Sequence, residues 1–118
     1  MNPKAFVVVL VCIVVAGLAL AESQSGHLKP KSVTAVCSFT SAQVSWEAVM
    51  DGNLTGYDVF KKTFSEPEYT KANPELVTQT QYIVSNLLGG TTYNFAVTAV
   101  YNDGNSSDLS DPATCTTS

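Results

Sequence analysis

Histidine and cysteine are the side chains here best suited to nucleophilic or soft-metal chemistry, and the chain holds one histidine and three cysteines. Their placement works against catalysis. His27 precedes the first strand-like segment, in a stretch expected to be flexible, so no Ser-His or Cys-His pair would be held in a rigid geometry. Cys37 and Cys115 are far apart in the sequence with no histidine near either, which suits neither a metal site nor a catalytic thiol. Asp103, Asp108 and Asp111, with Asn102 and Asn105, form an oxygen-rich stretch of the kind that could hold a hard cation. Their spacing fits no recognised calcium loop, and a solvated hairpin loop is the expectation. No enzyme activity, catalytic residue, cofactor or metal is expected.

What remains is chemistry done to the chain. Cys12 lies in an apolar leader, which leaves Cys37 and Cys115 as an even pair and a disulfide as the default in an oxidising compartment. Two sequons, Asn53-Leu54-Thr55 and Asn105-Ser106-Ser107, mark Asn53 and Asn105 for glycosylation in a secreted chain.

The leader sets that address. One positive charge in residues 1–4 precedes an apolar run over 5–20. Ala19-Leu20-Ala21 then gives the small-x-small pattern of a signal-peptidase site, followed by polar Glu22-Ser23-Gln24-Ser25. Residues 1–21 are expected to be a removed signal peptide, because the run is short for a membrane span and no basic stop-transfer cluster follows. The polar C-terminal residues argue against a lipid-anchor tail. The product is expected to be secreted and extracellular, without membrane insertion. It would comprise a flexible lead-in over 22–29 and one domain over 30–118, and act as a monomer.

Loss of the leader takes Lys4 with it and leaves five lysines against ten acidic residues, a formal charge of −5. Nucleic acid and anionic membranes are therefore poor partners. The absence of arginine removes the bidentate fork commonly used to grip carboxylates and phosphates.

The elements that carry these residues read as β-strands. Apolar residues recur with period two at Val33, Ala35 and Cys37, at Val44 and Trp46, and at Tyr57 and Val59. The same spacing returns at Tyr82 and Val84 and from Tyr93 to Ala99. Turn formers stand between them, among them Asp51-Gly52-Asn53, Ser65-Glu66-Pro67, Asn73-Pro74 and Gly89-Gly90. No segment keeps a helical period. The expectation is an all-β, immunoglobulin-like antiparallel sandwich.

At this point the sequence resembles the fibronectin type III family. Pro30-x-x-Val33-x-Ala35 is similar to that family's opening strand, Val44-Ser45-Trp46 to its second with the core tryptophan, and Gly56-Tyr57-x-Val59 to its third. Leu87-Leu88-Gly89-Gly90-Thr91-Thr92-Tyr93 matches the Leu-x-Pro-Gly-Thr-x-Tyr corner in spacing, with Gly89 where proline is usual. The resemblance implies seven strands of fibronectin type III topology. It carries no integrin motif, since Asn102-Asp103-Gly104-Asn105 stands where some members have Arg-Gly-Asp.

Physical reasons for the same residues stand beside the resemblance. Trp46 fills the gap between two sheets about 10 Å apart. Tyr93 buries its ring while its hydroxyl reaches a backbone group near Leu87, a tyrosine corner. Tyr69 and Tyr101 are less clearly in phase and are the aromatics to look for at the surface.

In a sandwich of this type the first and last strands end at the same pole, which would bring Cys37 to Cys115. Asn53 and Asn105 would share the other pole, where glycans shield the loops. A partner is then expected at the opposite half, over residues 61–71, with Phe64, Pro67 and Tyr69 as apolar contacts. The alternative is that Phe64 and Tyr69 merely cover the sandwich edge. Fold alone does not supply a function. The leading expectation is a secreted, non-catalytic module that binds an extracellular protein through loops or a sheet face. A structural matrix or surface-coat component, and a secreted effector acting on another organism, are the alternatives.

Overall fold

Alternating β-branched and aromatic residues produce strands wherever the sequence keeps period two, and the computed structural model, which describes residues 27–118, contains no helix among them. The expected signal peptide over 1–21, and residues 22–26 of the lead-in, lie outside the described residues. Seven strands form: β1 (Thr34–Cys37), β2 (Ala42–Ser45), β3 (Leu54–Thr63), β4 (Thr70–Lys71), β5 (Gln81–Val84), β6 (Thr92–Tyr101) and β7 (Ala113–Thr116). All pairings are antiparallel. One sheet has the order β1-β2-β5 and the other β4-β3-β6-β7.

The core lies between the sheets. Val44 from the first sheet meets Val59, Phe95, Val97 and Ala99 from the second, all fully buried. Each of the valines and the phenylalanine contributes roughly 1.5–3 kcal/mol through removal from water. Trp46 packs edge-on against Tyr57 with ring centroids 5.2 Å apart, and the Tyr57 hydroxyl accepts the Val49 N–H at 2.9 Å. The Tyr93 hydroxyl accepts the Leu88 N–H at 2.9 Å, so the tyrosine corner forms one residue from Leu87. The turn that feeds it places Gly90 at φ 61°, a left-handed conformation that glycine adopts without a Cβ clash. β1 and β7 close one side of the sandwich through the Cys37–Cys115 disulfide.

Two polar segments that read as loops are built into the sheets. Asn73 is buried, and its Oδ1 accepts the Val59 N–H at 2.8 Å. Its Nδ2 donates to Asp58 Oδ1 at 2.9 Å and to the Glu75 carbonyl at 2.8 Å. The side chain thus continues the edge ladder of β3 after β4 ends. Asn73→Ala strands the Val59 N–H in the core and is expected to cost about 2 kcal/mol, the usual price of an unsatisfied buried donor. The loss should appear as a lower urea midpoint at unchanged slope. Along β6, Ser107 Oγ accepts the Ala99 N–H and Ser110 Oγ accepts the Val97 N–H, each at 2.9 Å. The loop before β7 is therefore strapped to the sheet by two buried serines.

One expectation is corrected. Tyr101, looked for at the surface, is 1% exposed. It extends the odd-numbered inward phase of β6 (Tyr93, Phe95, Val97, Ala99) by one more step, and its hydroxyl donates to the Leu28 carbonyl at 2.6 Å. Burial, followed by the nearby Asp51 charge, raises the phenol above its ordinary pKa. His27 stacks on the Tyr101 ring with centroids 4.0 Å apart. Contacts with the sandwich thus begin ahead of Pro30.

Candidate functional site

The β3–β4 hairpin holds the three residues expected to meet a partner. β3 ends at Thr63, where a tight turn is fixed by hydrogen bonds rather than by glycine. The Glu66 N–H donates to the Thr63 carbonyl at 3.2 Å, and Glu66 Oε1 accepts the Thr63 N–H at 2.7 Å. Thr63 Oγ1 and Ser65 Oγ lie 3.2 Å apart. A turn pinned at both ends projects Phe64 into solvent, where it is 74% exposed. Pro67 is also exposed.

Tyr69 behaves differently. It is half-buried, with the Lys62 ammonium 5.5 Å above the ring centroid. Burial raises its phenol pKa. Phe64 and Pro67 are thus exposed, whereas Tyr69 shares its ring between the hairpin and solvent. Lys61, Lys62, Glu66, Glu68 and Lys71 lie on the same hairpin and give it charges of both signs, with Lys62 over the Tyr69 ring. A shallow cleft beside Phe64 is lined by Thr63, Ser65, Gly90, Thr91 and Thr92.

Registers place this hairpin in the molecule. Thr63 pairs with Tyr93 and Tyr93 with Cys115, so the hairpin stands at the disulfide end. At the other end Leu54 pairs with Tyr101, and the Asn102 N–H donates to the Asn53 carbonyl at 2.9 Å. Asn53 and Asn105 are both exposed there. The Ser107 hydroxyl of the second sequon is occupied in the fold by Ala99 and by the Asp108 carbonyl.

The acidic loop does not assemble into a cluster. Asp103 Oδ2 meets His27 Nε2 at 3.0 Å and Asp103 Oδ1 accepts the Asn105 N–H at 2.9 Å, while Asp111 faces Lys29 at 3.8 Å. The Asn105 N–H holds the Asp103 carboxyl below the ordinary carboxylate range; desolvation opposes it and His27 adds to it. No group of three or more His, Cys, Asp or Glu side chains that could hold a metal occurs among the described residues.

Sequence reasoning missed a second surface. The outer face of the β1-β2-β5 sheet carries Thr34, Val36, Gln43, Ser45, Gln81 and Ile83, none of them charged, with Val36 and Ile83 well exposed. The signal was available as two uncharged stretches, residues 32–46 and 76–102, in an otherwise acidic domain.

The family model for the fibronectin type III domain matches residues 28–116. Among solved structures, a Fn3-like protein from Clostridium thermocellum is 27% identical, with a TM-score of 0.68, covering 80% of this chain and 96% of that one. Domains A168–A170 of titin are also 27% identical, with a TM-score of 0.67, covering 75% of this chain and 32% of that one. Module A71 of titin from human cardiac muscle shares the fold at 24% identity and a TM-score of 0.63, covering 71% of this chain and 85% of that one. Two antiparallel sheets in the order β1-β2-β5 and β4-β3-β6-β7, joined by the tyrosine corner and matched over nearly all the described residues, make this chain a member of the fibronectin type III domain family.

Proposed function

We propose that the chain is a secreted, non-catalytic module that binds an extracellular protein through the β3–β4 hairpin, with Phe64 as the anchor and Pro67 and Tyr69 beside it. The observation that carries the reading is Phe64 itself, a large apolar side chain held out by a pinned turn on a hairpin that carries charges of both signs. Exposed aromatics inside a polar rim are the usual anchors of protein interfaces. Fibronectin type III domains commonly mediate protein–protein contacts and are generally non-catalytic. The disulfide is consistent with an extracellular address, as is the lack of any helix among the described residues long and apolar enough to cross a membrane. Glycans at Asn53 and Asn105 would cover the far pole and leave the hairpin open.

The test is capture from extracellular material on the immobilised chain, followed by affinity measurement with the protein recovered. Phe64→Ala is expected to weaken binding at least tenfold, as an interface anchor does. Its melting temperature should stay within about 2 °C of the parent, since an exposed side chain carries little stability. Loss of affinity only on changes within residues 102–110 would instead make the loop pole the site.

A further inference from the structure

A sandwich of two open sheets has four edges, and three of them are protected. β1 and β7 lie together and are cross-linked by Cys37–Cys115. β4 is two residues long, carries Lys71 and follows Glu66 and Glu68. Short length and charge are the ordinary defences of an edge strand. β5 has neither charge nor proline, and its register with β2 runs without a bulge. From Leu76 to Val84 the chain contains no charged residue, glycine or proline.

The open backbone groups on β5 follow from its register. The Trp46 N–H donates to the Thr80 carbonyl at 3.0 Å, which makes Trp46 and Thr80 a hydrogen-bonded pair. Alternation along an antiparallel ladder then makes Val44 and Tyr82 bonded as well. Ser45 and Gln81, and Gln43 and Ile83, fall on the non-bonded positions. The N–H and C=O groups of Gln81 and Ile83 therefore point away from β2, and both residues are exposed. Gln81 is further held by a 3.0 Å hydrogen bond from Gln43 Nε2 to its Oε1.

We propose that this edge pairs with the β5 edge of a second copy of the chain, joining two three-stranded sheets into one continuous sheet across a two-fold axis. With Tyr82 on the axis, Gln81 faces Ile83 of the second copy and each pair exchanges two backbone hydrogen bonds. The edge is thus complementary to itself, the condition for an isologous contact. Charge favours the same occupant: two acidic domains repel over most of their surfaces, whereas β5 and residues 76–80 before it carry no charge, and Glu75, which shares a cleft with Gln81 and Tyr82, stands at the margin of that stretch. So short an edge buries less than the roughly 800 Å² per partner of a standard interface, which makes the dimer weak and concentration-dependent. This departs from the monomer expected of the sequence. It leaves both β3–β4 hairpins free on the other sheet, and it stands whether or not those hairpins bind a partner.

Residue-resolved hydrogen exchange on the purified chain at dilute and at high concentration tests the pairing. In the dilute protein the Gln81 and Ile83 amides should exchange freely while Tyr82 and Val84 are protected. At high concentration the first two should slow by at least tenfold as sedimentation equilibrium reports a dimer. Ile83→Pro removes the outward N–H without touching the β2 ladder, and is expected to raise the dimer dissociation constant roughly tenfold to a hundredfold. Ile83→Lys, which keeps the backbone intact, should act in the same direction. Val36→Lys, on the same face but at the far edge, should leave the constant unchanged. A monomer mass at all concentrations up to about 1 mM, well above the micromolar range of ordinary interfaces, would overturn the proposal. So would concentration-independent exchange at Gln81 and Ile83, or an equal loss on Val36→Lys, which would mean stacking of faces.

Discussion

Replacing Cys37 and Cys115 together by serine is expected to lower the unfolding free energy by on the order of 4 kcal/mol, the chain-entropy value for a long closed loop. The two residues are 78 positions apart, so the bridge removes much of the freedom of the unfolded chain. Its native-state role is equally specific. β1 is a four-residue edge strand paired only with β2, and β7 a four-residue edge strand paired only with β6. Without the bridge, both hang on short ladders at the same side of the sandwich. Both cysteines are half-buried, so serine leaves little cavity and the loss is chiefly that of the cross-link. For a domain of this size such a loss corresponds to a fall in melting temperature on the order of 20 °C. Guanidinium unfolding of the double variant against the parent measures it. A difference under about 1 kcal/mol would mean that the oxidised unfolded chain gains little from the constraint, as strained or redundant bridges do.

The sandwich was legible because its largest apolar residues stand in phase. Trp46, Tyr57, Tyr93 and Phe95 each follow the alternation of their strand, and each is buried. Tyr101 obeys the same rule, but the polar run that follows it obscures its phase. The stacking of His27 on its ring is not legible, since a polar residue in a polar stretch gives no sign of a partner far along the chain. Asn73, Ser107 and Ser110 look like turn residues by type, and only their partners on Val59, Ala99 and Val97 reveal them as ladder substitutes. The charged surroundings of Phe64 are compatible with exposure but equally with a cover for the sandwich edge, and only the turn geometry shows that it is exposed. The half-burial of Tyr69 is no more legible, because the Lys62 contact depends on the geometry of the turn. The β5 edge escaped notice because composition averages over the chain, whereas an edge depends on which residues lack charge in one place.

The other large effect is expected at Gly56, whose need for glycine comes from a neighbour distant in sequence. Its φ is not in the left-handed region, so backbone freedom is not the reason. A Cβ built there would lie 2.5 Å from Leu76 Cγ and 2.8 Å from the Val77 carbonyl oxygen. The crowding follows from the Tyr57–Val77 bridge, in which the Tyr57 N–H donates to Val77 at 2.7 Å and the Val77 N–H returns to Tyr57 at 3.0 Å. The register of β3 with β6 shifts at the same place, between Leu54 and Gly56. Gly56→Ala must therefore push the segment before β5 away from the strand that carries Tyr57. Overpacking of this kind costs about 1–3 kcal/mol, and each weakened hydrogen bond adds roughly 1 kcal/mol. A total loss of about 3 kcal/mol is expected, read from urea unfolding. The two contacts can be separated. Leu76 is 43% exposed and its side chain can swing outward, whereas the Val77 carbonyl is fixed by its own hydrogen bond. Adding Leu76→Ala to Gly56→Ala should therefore recover less than about 1 kcal/mol, since relief of one movable side chain leaves the backbone clash in place. Recovery to near the parent stability would make the Leu76 side chain the obstacle, and a loss under about 0.5 kcal/mol in the single variant would show that the segment yields without breaking its bridge to Tyr57.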